Sequence, residues 1–165
     1  MTRPVSSAPA DFSSLPLDLL PTILAHLSKR QDLRACALIS RTWNRTATPL
    51  LYRWIRMFGK DLNILPDLFG MLACTPRLAE MVRVLEVRVY KKSYKLVERV
   101  EMNQLAVRVL EACKNVESLT WTRIGSVTDD TIDAIAKLKK LKHLELNGAT
   151  QTRTRMTCCV ISARN

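Results

Sequence analysis

The chain holds little of what catalytic machinery is usually made from. It has two histidines, His26 and His143, and four singly spaced glycines, Gly59, Gly70, Gly125 and Gly148. These give no Cys-x-x-Cys or His-x-x-x-His spacing for a metal and no glycine-rich loop for a phosphate. There is no Gly-x-Ser-x-Gly elbow and no acid pair in a recognisable catalytic setting. Asp129, Asp130 and Asp133 read instead as a helix N-terminus whose dipole they offset. The expectation is a protein without catalytic residues, metal or cofactor.

The cysteines also exclude. Cys36, Cys74, Cys113, Cys158 and Cys159 make an odd count with no paired framework. The adjacent Cys158 and Cys159 are badly placed for chelation or for a disulfide with each other. They read as small buried hydrophobes of a reducing compartment. Met1–Ser14 carries Pro4, Pro9 and four serines but no apolar core, and reads as a disordered lead-in, not a cleavable signal. No apolar run approaches the roughly 18–20 residues that cross a bilayer. The expectation is a soluble intracellular protein, cytoplasmic and/or nuclear, with no membrane partner. Aromatics are only 5%, so the apolar mass is mostly Leu, Val, Ile and Ala, which suits helices and repeats.

What is present begins with charge. The formal total is +11, and residues 1–60 hold +6 of it, 61–100 hold +2, 101–150 balance, and 151–165 add +3. A basic end of this kind fits nucleic acid, an anionic membrane or an acidic protein, and charge alone does not choose.

That basic end contains the most strongly patterned stretch, Leu15–Trp54. A helix starting near Asp18 as N-cap places Pro21 in the first turn, where no backbone N–H is owed. The alternative, a helix begun at Pro16 and kinked at Pro21, costs about 3 kcal/mol. Ile23, Leu24 and Leu27 then share a face, and His26 falls at the helix C-terminus. A second helix spans Arg30 to Leu38. Ser40 caps a third that carries Trp43 and Ala47, and Pro49 is expected to end it. So small a unit buries its own surface poorly, and its apolar residues are a minimal core, half of an interface, or both.

Beyond Pro49 four segments align as apolar-x-x-apolar-x-apolar: Tyr52/Ile55/Met57, Val82/Leu85/Val87, Val116/Leu119/Trp121 and Leu141/Leu144/Leu146. Between them lie helical patterns at Pro66–Cys74, Asn103–Cys113 and Thr128–Leu138, the last opening on a Thr-Asp-Asp cap signal. Strand and helix alternating at a period of 25–34 residues is the leucine-rich-repeat layout, and the expected fold class is α/β. The repeat's usual terminal Asn or Cys is replaced by Tyr90, Ile124 and Ala149, so the repeats are divergent and Tyr52–Met57 reads as a lead-in strand. An ordinary α/β domain is the alternative. The tail, residues 150–165, shows neither period and is expected to be irregular. A repeat array needs a capping unit, so the abrupt end predicts a chain shortened relative to a longer repeat protein, with a frayed last repeat.

The opening stretch can then be matched to a family. Leu15-Pro16-x-Asp18, Leu19-Leu20-x-x-Ile23-Leu24-x-x-Leu27, Leu33 and Ile39-Ser40-Arg41-x-Trp43 resemble an F-box. Asp18 stands for the usual Glu and Ile39 for the usual Val. Residues 15–54 would be the F-box and 55–149 about three repeats, as in F-box/leucine-rich-repeat proteins, the fungal ones in particular.

The resemblance implies a substrate receptor of an SCF-type ubiquitin ligase, docked on a Skp-family adaptor and through it on a cullin, with repeats that hold an unidentified protein target. Carried over by position, the adaptor contacts are Leu15, Pro16, Ile23, Leu24, Leu27, Leu33, Ile39 and Trp43. Each reads equally well as core of its own module, with Leu15 and Pro16 favoured as true contacts. If Leu85 and Val87 face inward, alternation turns Val84, Glu86 and Arg88 to the concave face. It does the same for Ser118, Thr120 and Thr122, and for His143, Glu145 and Asn147. Among these Glu86, Arg88, Thr120, Thr122, His143 and Glu145 are the candidate target-binding residues. Two other readings remain: an interaction scaffold outside ubiquitin ligases, and a basic helical nucleic-acid binder using Lys29, Arg30, Arg34, Arg41 and Arg45. The last is the minority reading, because its recognition helix would carry Ile39, Trp43, Ala47 and Leu50 where base-reading side chains are needed.

Overall fold

The computed structural model describes residues 16–58, 64–88, 96–122, 127–146 and 159–162, with backbone alone at 96–99 and 159–162. Leu15, Tyr90, Ile124, Asn147, Ala149, Cys158 and the lead-in 1–14 therefore lie outside the described residues. The chain divides into two compact units, Met1–Leu51 and Tyr52–Asn165.

The first unit is helical. A 3-10 turn, Leu17–Leu19, leads into α1 (Leu20–Ala25), followed by α2 (Arg30–Ala37) and α3 (Arg41–Arg53), whose last two residues belong to the second unit. Pro21 sits at the start of α1, where its missing N–H is not needed. Asp18 does not cap: it lies inside the 3-10 turn, and neither that turn nor α1 has a side-chain cap. His26 is the C-cap of α1, its N–H donating to the Ile23 carbonyl at 3.2 Å while the Leu27 N–H donates to Leu24 at 3.1 Å. Ser40 does cap α3, its Oγ accepting from the Trp43 amide at 3.3 Å.

Pro49 does not end α3 as expected; the helix continues to Arg53 with Pro49 inside it. The ring removes one helical hydrogen bond. Ala47 is fully buried and Leu50 and Leu51 pack on the core of the unit, and this burial outweighs the lost bond. That core is Leu20, Leu24, Leu33 and Ala47, with Leu27, Cys36, Ala37 and Trp43 packed around it.

The second unit is a strand-and-helix array of the expected α/β class. Its elements are β1 (Trp54–Phe58), α4 (Leu65–Cys74), α5 (Pro76–Ala79), β2 (Val84–Arg88), α6 (Leu96–Ala112), β3 (Ser118–Trp121), α7 (Asp129–Ala136), β4 (His143–Leu146) and β5 (Cys159–Ser162). Strands β1 to β4 are parallel neighbours in chain order. α4 packs on α6 and α6 on α7, so a row of helices runs beside the row of strands, as in a solenoid.

The aligned triplets become rungs of this array. Ile55, Leu85, Leu119 and Leu144 are in register, as are Met57, Val87, Trp121 and Leu146. Val82 and Val116, the first positions of two triplets, are fully buried. Against these rungs lie Leu65, Phe69 and Leu72 of α4, Met102, Ala106, Val109 and Leu110 of α6, and Ala134 and Ile135 of α7. The Phe69 and Trp121 rings meet with centroids 6.2 Å apart, a common aromatic pairing distance. Thr128 caps α7, accepting from the Thr131 amide.

Successive repeats are also stitched by backbone. The Arg83 amide donates to the Arg53 carbonyl at 2.9 Å, Glu117 to Arg83 at 2.7 Å, and Lys142 to Glu117 at 2.8 Å. Helix α5 was not foreseen; Pro76 opens it. The tail departs from expectation too, since Cys159–Ser162 pairs antiparallel with β4. The edge expected to stay open after β4 is therefore paired, which satisfies its backbone groups. Cys113 is buried, Cys36 half-buried and Cys74 exposed, so Cys74 is not the buried hydrophobe expected.

Candidate functional site

In the first unit, exposure separates core from surface. The α2–α3 corner is held by the Asn44 Nδ2 donating to the Ala37 carbonyl at 3.0 Å, and by the Ile39 amide on Cys36 at 3.2 Å. This corner presents Leu38, 79% exposed, and Ile39, 62% exposed. At the start of the unit Leu17, Leu19 and Ile23 are also exposed, as is Pro16. Among the described residues of the unit, five large apolar side chains face solvent while its buried core has four members. Exposed apolar side chains in such number make this unit a candidate for a partner surface.

The residues proposed for an adaptor thus divide. Leu24 and Leu33 are core, and Leu27 and Trp43 are half-buried against it. Their truncation acts on folding. Pro16, Ile23 and Ile39 are exposed, and Leu15 is outside the described residues. Sequence reasoning missed Leu17, Leu19 and Leu38. The signal was available, because Leu38 and Ile39 at a helix end cannot both face one small core. Lys29, Arg30, Arg34, Arg41 and Arg45 are all exposed, against the acids Asp18 and Asp32, so this unit shows a basic surface.

In the second unit the sheet face opposite the helix-packed core carries three rows. The first is Trp54, Val84, Ser118 and His143; the second is Arg56, Glu86, Thr120 and Glu145; the third is Phe58 and Arg88. A connected network joins them. The Arg56 Nε and the Trp54 Nε1 both donate to Glu86 Oε1, at 3.3 and 3.2 Å. Arg88 lies 3.7 Å from the other Glu86 oxygen and 3.5 Å from Glu145 Oε2, which Thr120 Oγ1 approaches at 3.4 Å. The Arg56 guanidinium also stacks on the Trp54 ring, 3.9 Å from its centroid, a cation–π contact.

The structure brings Glu86, Arg88, Thr120 and Glu145 together and places His143 half-buried beside Ser118. Thr122 does not join them. It is buried, its amide on the Val87 carbonyl at 2.9 Å and its hydroxyl on the same oxygen at 3.4 Å. Thr120 is buried as well, a short side chain beneath longer neighbours. Trp54, Arg56 and Phe58 were missed, though alternation applied to β1 would have found them.

Elsewhere the chemistry is structural. Burial pushes the Cys113 thiol up from 9.0 to about 12, which suppresses its thiolate. The Lys142 ammonium, hydrogen-bonded to Glu117 at 3.0 Å, holds that carboxyl below its ordinary 4.5, with Arg83 and Arg53 adding to the effect. Glu111, 2.9 Å from Lys137, raises that ammonium above its ordinary 10.5. A groove of about 780 Å³ between α6 and α7 is lined by Val100, Val107, Arg108, Asp130 and Asp133 among others. Among the described residues no group of three His, Cys, Asp or Glu side chains is placed to hold a metal, and no helix is long and apolar enough to cross a membrane.

Comparison with known proteins bears on both units. A family model described as F-box-like matches residues 12–57. A protein of Arabidopsis thaliana named F-box/LRR-repeat protein 22 is 30% identical over 142 residues, 84% of this chain. The chain spans 43% of that relative's length. Together these findings support an F-box/leucine-rich-repeat protein.

Proposed function

We propose that this chain, an F-box protein with leucine-rich repeats, is the substrate-recognition subunit of an SCF-type E3 ubiquitin ligase. F-box domains generally bind Skp-family adaptors in SCF complexes, and F-box proteins are generally adaptors rather than enzymes. In this reading the exposed apolar residues of the first unit dock on the Skp-family adaptor, which connects the chain to a cullin. The open sheet face of the second unit holds a protein target, and transfer of ubiquitin belongs to other subunits. Such a receptor works in the cytoplasm and/or the nucleus.

The observation that carries the reading is the exposure of Leu17, Leu19, Ile23, Leu38 and Ile39 in a unit with so small a core. Apolar area of this kind gains free energy only when a partner removes it from water. The basic surface around it suits an acidic adaptor. The test is co-purification of the full chain with a Skp-family adaptor, wild type beside Leu17→Ser and Ile39→Ser. Retention by wild type and loss in both variants supports the assignment. Undiminished retention by the variants contradicts it, and retention without cullin recruitment would favour a scaffold outside the ligase.

A further inference from the structure

The open sheet face carries enough chemistry to say what kind of target segment it takes, an inference that rests on the receptor reading above. Trp54, Arg56 and Phe58 alternate along β1 on this face. Alternate residues of a strand stand roughly 6.5–7 Å apart, so an extended peptide laid along β1 has the same repeat and meets all three in step. The two aromatics are well exposed, Trp54 at 46% and Phe58 at 42%.

The charges on the face are layered. Among the described residues its two cations stand outward, with the Arg56 side chain 47% and the Arg88 side chain 38% exposed, while Glu86 is at 14%. Glu145, at 23%, is likewise recessed beneath Arg88. The carboxylates orient the guanidinium groups from below, and Trp54 stacks on Arg56 from the side. An approaching group therefore meets guanidinium N–H donors first. A carboxylate completes their hydrogen bonding bidentately, whereas an ammonium has to displace them. We propose that this face binds an extended acidic–apolar peptide of the form apolar-x-Asp/Glu-x-apolar, its apolar side chains on Trp54 and Phe58 and its carboxylate between Arg56 and Arg88.

Single-stranded nucleic acid also stacks on aromatics beside arginine. Its backbone, however, needs several unneutralised cations along its track. Among the described residues of this face two arginines are balanced by two carboxylates, and a peptide with one acid demands far less positive charge.

Fluorescence polarisation with the full chain tests this. The probes are a labelled peptide Ser-Leu-Ser-Glu-Ser-Phe-Ser, the same peptide with Lys for Glu, and oligo(U) RNA. The expected result is that the Glu peptide binds roughly ten-fold or more tightly than the Lys peptide, the size of one charge-assisted contact. Arg56→Ala with Arg88→Ala should lower the Glu peptide to the Lys level, and Trp54→Ala should weaken both peptides. Circular dichroism and adaptor retention, measured on the same preparations, establish that the variants are folded. Equal binding of the two peptides, no binding of the Glu peptide, an unaffected double variant, or tighter binding of oligo(U) would each overturn the assignment. A chain that retains its adaptor but fails these tests refutes the peptide class alone. One that binds the Glu peptide but no adaptor refutes the receptor reading.

Discussion

Leu24→Ala set against Leu38→Ala with Ile39→Ala separates the two roles of apolar residues in the first unit. Leu24 is 1% exposed among Leu20, Leu33 and Ala47, so its truncation leaves a cavity and costs about 2–5 kcal/mol. A unit ending at Leu51 holds roughly 2–8 kcal/mol by the usual scale per residue, so the loss consumes much or all of its stability. Leu38 and Ile39 are largely in water already, and truncating them should shift stability by no more than about 0.5 kcal/mol each. If the adaptor buries both, the same truncations cost about 2–4 kcal/mol of binding, roughly thirty- to a thousand-fold. Hydrogen exchange over α1–α3 reads stability, and calorimetric titration with a Skp-family adaptor reads binding. The first variant should lose protection and binding together; the second should lose binding alone. Loss of protection in the second, or full binding by it, would refute the division into core and surface.

Pro49→Ala should stabilise the first unit by about 1–3 kcal/mol, since it restores a helical hydrogen bond inside α3; a lower urea midpoint would contradict this. Iodoacetamide should label Cys74 quickly in the native chain and Cys113 only on unfolding, read by peptide mass spectrometry, because Cys74 is exposed whereas Cys113 is buried with its thiol raised to about 12. Glu117 titrates lower folded than unfolded. Its ion pair with Lys142 therefore contributes stability above the ordinary carboxyl value of 4.5 and loses it as the pH falls through the lower folded value. Glu117→Gln should flatten the decline of the guanidinium midpoint below that pH, and an unchanged slope would show that the pair does not act. Trp121→Ala should cost about 3–5 kcal/mol in the second unit, checked by chemical denaturation.

Much of this architecture is written in period. The triplets ending at Met57, Val87, Trp121 and Leu146 share a spacing because each must turn two residues inward and one between, and the strands pair on that register. Helix ends with a side-chain signal, Ser40 and Thr128, were equally legible. What period cannot reveal is which apolar residue of a small unit is core. Leu24 and Ile23 are adjacent letters, yet one is buried and the other exposed, because the neighbouring helices decide.

Helix α3 passing through Pro49 and the pairing of β5 with β4 are likewise tertiary outcomes that override local preference. Alternation did place Glu86, Arg88 and Glu145 on the open face. It could not foresee that Thr120 and Thr122 lie buried, because side-chain length on the neighbouring strands sets depth there. Trp54, Arg56 and Phe58 are harder to see because β1 follows directly on α3 and its sequence reads as a lead-in strand.

The central claim is that the first unit is a docking module for a Skp-family adaptor. Its most direct test is size-exclusion chromatography with light scattering on the full chain mixed with purified adaptor. The account predicts a single one-to-one complex that Leu38→Ala with Ile39→Ala abolishes while the free chain stays folded. Separate elution of folded chain and adaptor would contradict it.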